Sequence, residues 1–288
     1  MLMSKKTVIV TGGNSGIGRE SVIALCRMGA HVVVACRETA YGNEKPVSEV
    51  ISEIEALVPG ARLSFLPLDL ACLSSIRHFV EHFTSQYDQL DVLLNNAGVL
   101  SMEKKQTRDG FELTMGTNHL GPFLLTNLLL DHLINTPRSR VVNVSSKTHS
   151  KGRLVFANDT IETRRPYTAL TAYADSKLAN IYFTQELAER LDGTDTTVNA
   201  LHPGGVATNI WPETKGVMGI IKKRMIKNLS GPEKGARTSV YLCSSPEAQN
   251  VSGKYFYRSK EVSPGKRAQD KDVQKKLWQV SAACTGLN

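Results

Sequence analysis

A tyrosine and a lysine four residues apart are the clearest candidates for chemistry in this sequence. Tyr173 and Lys177 lie in the segment 171–191, whose apolar residues recur at helical spacing. Four residues along a helix return to the same face, so the ammonium would lie beside the phenol. A nearby cation favours the phenolate and lowers a tyrosine pKa from its ordinary value of about 10. The pair therefore predicts an acid–base group that exchanges a proton with a substrate near neutral pH.

Two serines close an apolar run that predicts a strand over 140–145. Ser145 and Ser146 would lie at the carboxyl edge of a parallel sheet, where ligands bind in open α/β folds. A hydroxyl at that edge can donate a hydrogen bond to a substrate oxygen that gains negative charge. A serine that only closes a loop at the strand end is the structural alternative, and the residues alone do not choose between the two.

A glycine-rich turn follows the first predicted strand, 7–11, and precedes a predicted helix at 16–29. Glycines let the backbone turn tightly and approach a pyrophosphate, and the helix start offers free N–H groups. An ordinary strand–helix turn is the alternative, but the position after the first strand favours a dinucleotide site. The predicted contacts in this turn are Gly12, Asn14, Ser15, Gly16, Ile17 and Gly18.

The choice between NAD and NADP depends on the end of the second predicted strand, 31–36. NAD enzymes usually carry an acid there, which accepts hydrogen bonds from the ribose 2′-hydroxyl. This sequence has Cys36 and then Arg37. A guanidinium can bind a 2′-phosphate through paired, charge-assisted hydrogen bonds, so the stretch predicts NADP(H). A solvated Arg37, or one paired with Glu38 or Glu44, is the alternative.

The elements that must position these residues alternate between strand-like and helix-like segments. Strands are predicted at 7–11, 31–36, 62–68, 91–95, 140–145 and 196–202, with a seventh near 254–257. Helices are predicted at 16–29, 47–57, 74–87, 117–134 and 171–191. The pattern predicts one Rossmann-type, doubly wound α/β domain over 1–288, with a central parallel sheet of about seven strands and helices on both faces.

Composition and charge restrict the class of protein further. The 288 residues are 41% hydrophobic and 22% charged, typical of a globular chain, and no run is apolar enough to span a membrane. Five scattered cysteines predict reduced thiols and a cytoplasmic location, and His78 and His82 lack the acid of a zinc motif, so no metal is expected. The net charge of +8 is concentrated between residues 213 and 276. No nucleic-acid motif accompanies it, so an anionic membrane surface or a solvated face is the expected reason.

These motifs together resemble the short-chain dehydrogenase/reductase family. The TGxxxGxG spacing, the NNAG stretch at 95–98 and the order of Asn118, Ser146, Tyr173 and Lys177 match the family pattern. The resemblance implies an oxidoreductase that interconverts a carbonyl and an alcohol with a nicotinamide cofactor. It assigns proton exchange to Tyr173, a hydrogen bond to the substrate oxygen to Ser146 (or Ser145), and the nicotinamide ribose to Lys177. Asn118 would bind a water in proton supply, or only fill a gap in the backbone.

The same resemblance implies further cofactor contacts. Asp69 matches the acid beside the adenine ring, although a cap on the next helix would use the same side chain. The remaining contacts implied by the family are Leu70, Asn95, Ala97, Gly98, Tyr173, Lys177, Pro203, Gly204, Val206 and Thr208.

Three stretches, 118–123, 141–146 and 176–180, resemble the retinol dehydrogenase branch of the family. So does the gap of 26 residues between Ser146 and Tyr173, whose insertion at 153–165 is expected to border the substrate pocket. Long surface loops cost little stability, so this loop could also be without function. The branch implies a lipophilic substrate such as retinal or retinol. A soluble reductase of steroids or xenobiotic ketones, and a non-enzymatic NADP(H)-sensing protein, are the alternatives.

A predicted lid at 209–232 contains the mixed apolar and basic stretch 210–229. Such a stretch can rest on a membrane surface or cover the pocket in solution, so a peripheral membrane contact stays an alternative. A basic C-terminal extension is predicted at 258–288. The family resemblance is compatible with a monomer or a homo-oligomer.

Overall fold

The fold is a doubly wound α/β sheet, seen in a computed structural model that describes residues 2–38, 45–157, 159–164, 166–206 and 230–287. The strands are β1 Thr7–Thr11, β2 His31–Cys36, β3 Arg62–Pro67, β4 Val92–Asn95, β5 Arg140–Val144, β6 Val155–Ala157, β7 Thr160–Glu162, β8 Thr197–Leu201, β9 Tyr255–Tyr257 and β10 Lys260–Glu261. Eight of them form one sheet in the order β10-β9-β8-β5-β4-β1-β2-β3, and β6 and β7 form a separate hairpin.

The sheet has one more strand than the sequence predicts. From β3 to β9 every neighbouring pair is parallel, whereas β10 pairs with β9 in antiparallel register. The turn between β9 and β10 places Arg258 and Ser259 in the left-handed region, with φ of 51° and 58°. A strand of two residues has no room for an alternating pattern, which is why periodicity did not reveal it.

Helices cover both faces of this sheet, as predicted. Their bounds are α1 Gly16–Arg27, α2 Val47–Leu57, α3 Leu73–Gln86, α4 Leu113–Met115, α5 Gly121–Leu128, α6 Leu130–Asn135, α7 Ala169–Arg190, α8 Pro232–Ser244 and α9 Lys271–Thr285. The continuous helix expected at 117–134 is wrong, because a π-helical turn at Gly116–Leu120 joins α4 to α5 and a break separates α5 from α6. The helices α8 and α9 were not predicted.

The core lies on both sides of the central strands, since every residue of β1, β5 and β8 is buried. Val8 and Val10 of β1 face the cluster that contains side chains of α1, α2 and α8, whereas Ile9 faces the cluster with α3, α5 and α7. Each fully buried aliphatic side chain contributes about 1.5–3 kcal/mol. The two faces therefore hold the strand ends in one rigid layer.

Residues 258–287, predicted as a basic extension, are an integral part of the fold. Leu277 and Val280 of α9 are each 1% exposed. The Trp278 ring lies edge-on to Phe123 of α5, with centroids 4.9 Å apart. The lysines of α9 made this segment look like a charged extension in the sequence, although one face of the helix is apolar.

Two sequence predictions fall partly or wholly outside the described residues. Thr208 and most of the expected lid at 209–232 lie within 207–229, and the description resumes at Ser230, which bridges to Val206. Within the described ranges, no helix has both the length and the apolar character needed to cross a lipid bilayer.

Candidate active site

The glycine-rich turn joins β1 to α1 in the conformation a phosphate cradle requires. Gly12 and Gly16 have φ of +64° and +52°, a region that glycine adopts without strain. A Cβ added at Gly18 would lie 2.1 Å from the Gly12 carbonyl oxygen. The α1 cap residue, Ser15, makes no side-chain cap bond, and the first turn of α1 holds no acid. The N–H groups at this helix start can therefore bind an anion, so the turn fits a dinucleotide pyrophosphate.

The turn after β4 packs directly against this cradle. The Thr11 hydroxyl oxygen accepts hydrogen bonds from the N–H groups of Asn96 (2.9 Å) and Ala97 (3.0 Å), and Asn96 Nδ2 donates to the Thr11 carbonyl at 2.8 Å. A Cβ at Gly12 would lie 3.1 Å from Ala97. The structure thus places Ala97 beside the cradle. It also shows a positioning role for Asn96 that the sequence reasoning missed, although the Asn95-Asn96 doublet was its signal.

The side chain of Asn95 is directed elsewhere. It is 4% exposed, and its Nδ2 donates to Asn143 Oδ1 at 2.9 Å and to the Thr126 hydroxyl at 3.0 Å. These partners belong to β5 and α5. Any contact between Asn95 and a cofactor would therefore use its main chain.

Arg37 and Asp69 lie at the carboxyl ends of the neighbouring strands β2 and β3. Asp69 Oδ1 accepts from the Ala71 N–H at 2.9 Å. The expectation that Asp69 caps the next helix is wrong, because α3 begins at Leu73 with Cys72 in the cap position. Leu70 is 6% exposed and packs against the start of α5, where a Cβ on Gly121 would lie 2.4 Å from its carbonyl oxygen.

Lys177 is buried at the centre of the candidate site, with 2% of its surface exposed. Its Nζ donates to the Val144 carbonyl oxygen at 2.9 Å and lies 5.5 Å from the centroid of the Tyr173 ring. Burial lowers the pKa of Lys177 to about 8. The ammonium is therefore still the dominant form at neutral pH.

The phenol of Tyr173 has a raised pKa in this structure. Burial raises the pKa to about 12, and a hydrogen bond with the Ser146 side chain opposes that rise. The sequence-based expectation of a lowered pKa is wrong here, because desolvation outweighs the cation and the Lys177 ammonium is directed to Val144. Tyr173 is consequently protonated at neutral pH and is a proton donor.

The structure separates the two candidate serines. Ser145 is 1% exposed and its hydroxyl donates to the Lys177 carbonyl oxygen at 2.7 Å, which ties β5 to α7. Ser146 is only partly buried, and its hydroxyl interacts with Tyr173 and accepts from the Thr148 N–H at 3.2 Å. Ser146 is therefore the serine that faces the phenol.

Asn118 lies in the π-helical turn, beside the same group of residues. Its Oδ1 accepts from the Val99 N–H at 2.7 Å, and its Nδ2 donates to the Val99 carbonyl at 2.9 Å and to the Ser176 hydroxyl at 3.0 Å. A Cβ at Gly98 would lie 3.3 Å from Asn118 Oδ1 and 3.4 Å from Lys177 Nζ. The NNAG turn therefore links the cradle to the lysine, and Asn118, Ser146, Tyr173 and Lys177 form one cluster.

The segment after β8 borders the cradle from the other side. Gly204 has φ of +88°, and its N–H donates to His202 Nδ1 at 3.2 Å. The His202 ring stacks on Tyr257 of β9, with centroids 4.1 Å apart. A Cβ at Gly235 would lie 2.7 Å from Val206 Cγ2 and 3.1 Å from Ile17 Cγ1. Val206 and Ile17 therefore meet at α8, while Pro203 precedes the turn at Gly204.

The insertion between Ser146 and Tyr173 is tied to α7. Asp175 of α7 accepts from the Arg153 N–H at 2.7 Å, from Arg164 Nε at 2.8 Å and from Arg164 Nη2 at 2.5 Å. The hairpin β6–β7 within the insertion contributes Phe156 and Ile161 to a cluster with α7 and α9. Its contact with a substrate pocket stays a prediction.

Comparisons with known proteins agree with this fold. A family model described as short chain dehydrogenase matches residues 6–216. The chain is 42% identical over 301 residues to retinol dehydrogenase 14 of Homo sapiens, covering 99% of this chain and 88% of the relative. It is 40% identical over 290 residues to retinol dehydrogenase 13 of Homo sapiens, covering 98% and 85%.

Two solved structures share the fold over most of their length. An uncharacterised protein from Mycobacterium paratuberculosis has a TM-score of 0.75 and 32% identity, covering 98% of this chain and 94% of that one. A short chain dehydrogenase from Burkholderia cenocepacia in complex with NADP has a TM-score of 0.69 and 26% identity, covering 89% and 97%.

The fold and the cluster at its sheet edge define a nucleotide-binding oxidoreductase of the doubly wound class. The chain belongs to the short-chain dehydrogenase/reductase family, and within it to the branch that resembles retinol dehydrogenases.

Replacing the third glycine of the cradle tests its role in cofactor binding. In Gly18→Ala the new methyl group meets the Gly12 carbonyl at 2.1 Å and Asn96 Nδ2 at 2.6 Å, so the turn must shift. We expect the Kd for NADPH, measured by fluorescence titration, to rise at least about tenfold, or about 1.4 kcal/mol. Gly231→Ala is the control, because a Cβ there meets no atom within 4 Å. Unchanged affinity in a folded Gly18→Ala protein would contradict the cradle.

Proposed function

We propose that this protein is an NADP(H)-dependent reductase that interconverts a lipophilic carbonyl compound and its alcohol, of the retinal and retinol type. The observation that carries this proposal is the convergence of Ser146, Tyr173 and Lys177 beside the glycine-rich cradle. The names of the retinol dehydrogenase relatives support the substrate class.

Ser146 and Tyr173 are arranged to bind and protonate a carbonyl oxygen. The Ser146 oxygen already accepts the Thr148 N–H, so its own hydrogen is available to the substrate oxygen. The raised pKa of Tyr173 keeps its proton in place for transfer as the oxygen gains charge. Bound NADPH supplies the hydride in the direction of reduction. The protein therefore contributes orientation, a hydrogen bond and a proton.

We assign supporting roles beside the Tyr173 phenol to Lys177 and Asn118. We assign Lys177 to the nicotinamide ribose, because its ammonium lies 5.5 Å from the centroid of the Tyr173 ring. The Asn118 side chain is already committed to Val99 and Ser176. Pro122, four residues after Asn118, has no N–H to donate to the Asn118 carbonyl, so we assign the water link to that carbonyl.

Arg37 supports the preference for NADP(H). It follows β2 at the carboxyl edge of the sheet, next to the strand end that carries Asp69. Its fixed charge suits a 2′-phosphate, and the Burkholderia cenocepacia relative is a complex with NADP.

We further propose a cytoplasmic location and a role in substrate access for the stretch 210–229, which lies outside the described residues. Cys26, Cys72, Cys243 and Cys284 are free thiols, as expected of a reducing compartment. The stretch combines apolar residues with a basic cluster at 222–224 and Lys227, so it suits a lipophilic substrate and contact with an anionic surface.

Removal of the Tyr173 hydroxyl tests the catalytic assignment. We expect Tyr173→Phe to lose NADPH consumption by at least about a hundredfold, since a positioned proton donor contributes that much, while NADPH binding persists. The assay pairs a panel of retinal, other aldehydes and steroid ketones with NADPH and NADH. Tyr182→Phe is the control, because Tyr182 lies on the same helix and hydrogen-bonds the Arg267 carbonyl. Tight NADPH binding without turnover in the natural protein would favour a cofactor sensor instead.

A charge reversal at Arg37 tests the cofactor preference. We expect Arg37→Asp to lower kcat/KM with NADPH relative to NADH by about a hundredfold, because an acid repels the 2′-phosphate and binds the 2′-hydroxyl. Arg62→Asp makes the same charge change at the opposite end of β3 and should leave the ratio unchanged. An unchanged ratio in Arg37→Asp would contradict the assignment.

The lowered pKa of Lys177 predicts a pH limit. Because this pKa is about 8, kcat/KM for NADPH should fall as the pH rises through about 8 and the ammonium loses its proton. In Lys177→Arg the charge persists at every pH used, so the rate should be lower overall but lack this limb. Persistence of the limb in that variant would assign it to another group.

A further inference from the structure

The buried contact between α7 and β5 includes a group of polar side chains. Asn143 Nδ2 donates to the Thr184 hydroxyl at 2.9 Å, and that hydroxyl donates to the Asn180 carbonyl at 2.8 Å. Asn180 Nδ2 donates to the Val144 carbonyl at 3.4 Å, the same oxygen that accepts the Lys177 ammonium. Buried polar groups are costly unless paired, so each atom here needs a partner.

His119 connects this contact to α9. Its ring is 1% exposed, and its Nε2 lies 2.8 Å from the Ser281 hydroxyl. Burial lowers the pKa of His119 to about 3, so the ring is neutral at physiological pH. The rings of Phe123, Phe183 and Trp278 surround this region and carry no charge. A neutral imidazole donates from one nitrogen and accepts at the other.

Two buried atoms complete the connection. Among the described residues, neither Asn180 Oδ1 nor His119 Nδ1 makes a well-aligned hydrogen bond, so each of these buried atoms lacks a partner. The His119 ring interacts with the Asn180 side chain. An amide oxygen only accepts, so these two atoms can satisfy each other only when the His119 proton is on Nδ1, and Nε2 then accepts from the Ser281 hydroxyl. The direction of every hydrogen bond from Ser281 to Val144 follows.

We propose, on the basis of the function proposed above, that His119 and Asn180 are positioning residues for Lys177. The His119 Nδ1–H holds the Asn180 amide with its Nδ2 toward the Val144 carbonyl. If the amide turned over, Asn180 Oδ1 would face that carbonyl and would attract the Lys177 ammonium away from it. The His119–Asn180 pair thus keeps the ammonium at Val144, within reach of Tyr173.

The first experiment reads the tautomer directly in the full chain without cofactor. Nitrogen-15 NMR of labelled histidine should show His119 as the neutral Nδ1–H form, without protonation down to about pH 5. The Nε2–H form or an imidazolium would overturn the proposal. This measurement does not need turnover, so it tests the inference even if no carbonyl substrate is reduced. A lack of substrate reduction would count against the proposed function alone.

The second experiment uses two variants that should shift, in opposite directions, the pH at which Lys177 loses its proton and kcat/KM falls. The Tyr173 ring faces the ammonium, with its centroid 5.5 Å from Lys177 Nζ, and burial lowers the pKa of Lys177. Asn180→Asp adds a negative charge, so the pH at which kcat/KM for NADPH falls should rise above about 8. In Asn180→Leu that pH should be lower than in the natural protein. Shifts in the same direction, or none in either folded variant, would overturn the proposal.

The third experiment tests α9 with a matched pair. Ser281→Ala removes the donor to His119 and should lower kcat by about tenfold to a hundredfold, since a shift of about 1 Å at a reacting group has that effect. The KM for the carbonyl substrate should stay the same. Thr285→Val is the control, because Thr285 is equally buried on α9 and its hydroxyl bonds only α9 carbonyls. Equal effects of the two variants would overturn the proposal.

Discussion

A lysine ammonium withdrawn from water is the constraint on which the rest of this site depends. An isolated charge in a protein interior is costly, so it must be held by well-placed acceptors. Lys177 meets this requirement at the Val144 carbonyl, at the carboxyl end of β5. The end of β5 must therefore be fixed against α7, and Ser145 provides one such link through the Lys177 carbonyl. Ser146, the next residue, is consequently aimed at Tyr173.

The strand framework could be predicted from sequence because its signal is local. The runs at β1, β2 and α2 have the bounds that periodicity indicates, and the other central strands differ by one or two residues. The helices α8 and α9 were not predicted from the sequence, because lysines and small residues interrupt the apolar periodicity of their buried faces. The π-helical turn escaped because one extra residue in a turn leaves hydrophobic spacing almost unchanged.

The candidate site was predictable at the level of motifs but not of orientation. Adjacent residues compete for each role, as with Ser145 and Ser146 or Asn95 and Asn96, and only the pleat of the chain decides which one faces the site. The raised pKa of Tyr173 could not be foreseen either. Spacing reveals a nearby cation, whereas desolvation depends on the surrounding layers.

The position of α9 has a consequence for how the molecule folds. Its Ser281 contacts His119 across a sequence separation of 162 residues. Such non-local contacts require a large loop to close before they stabilise anything, so they tend to form late. We therefore expect the helical layer around His119 to be completed after the sheet has formed. Changes in α9 should act mainly on the unfolding rate and leave the refolding rate nearly unchanged.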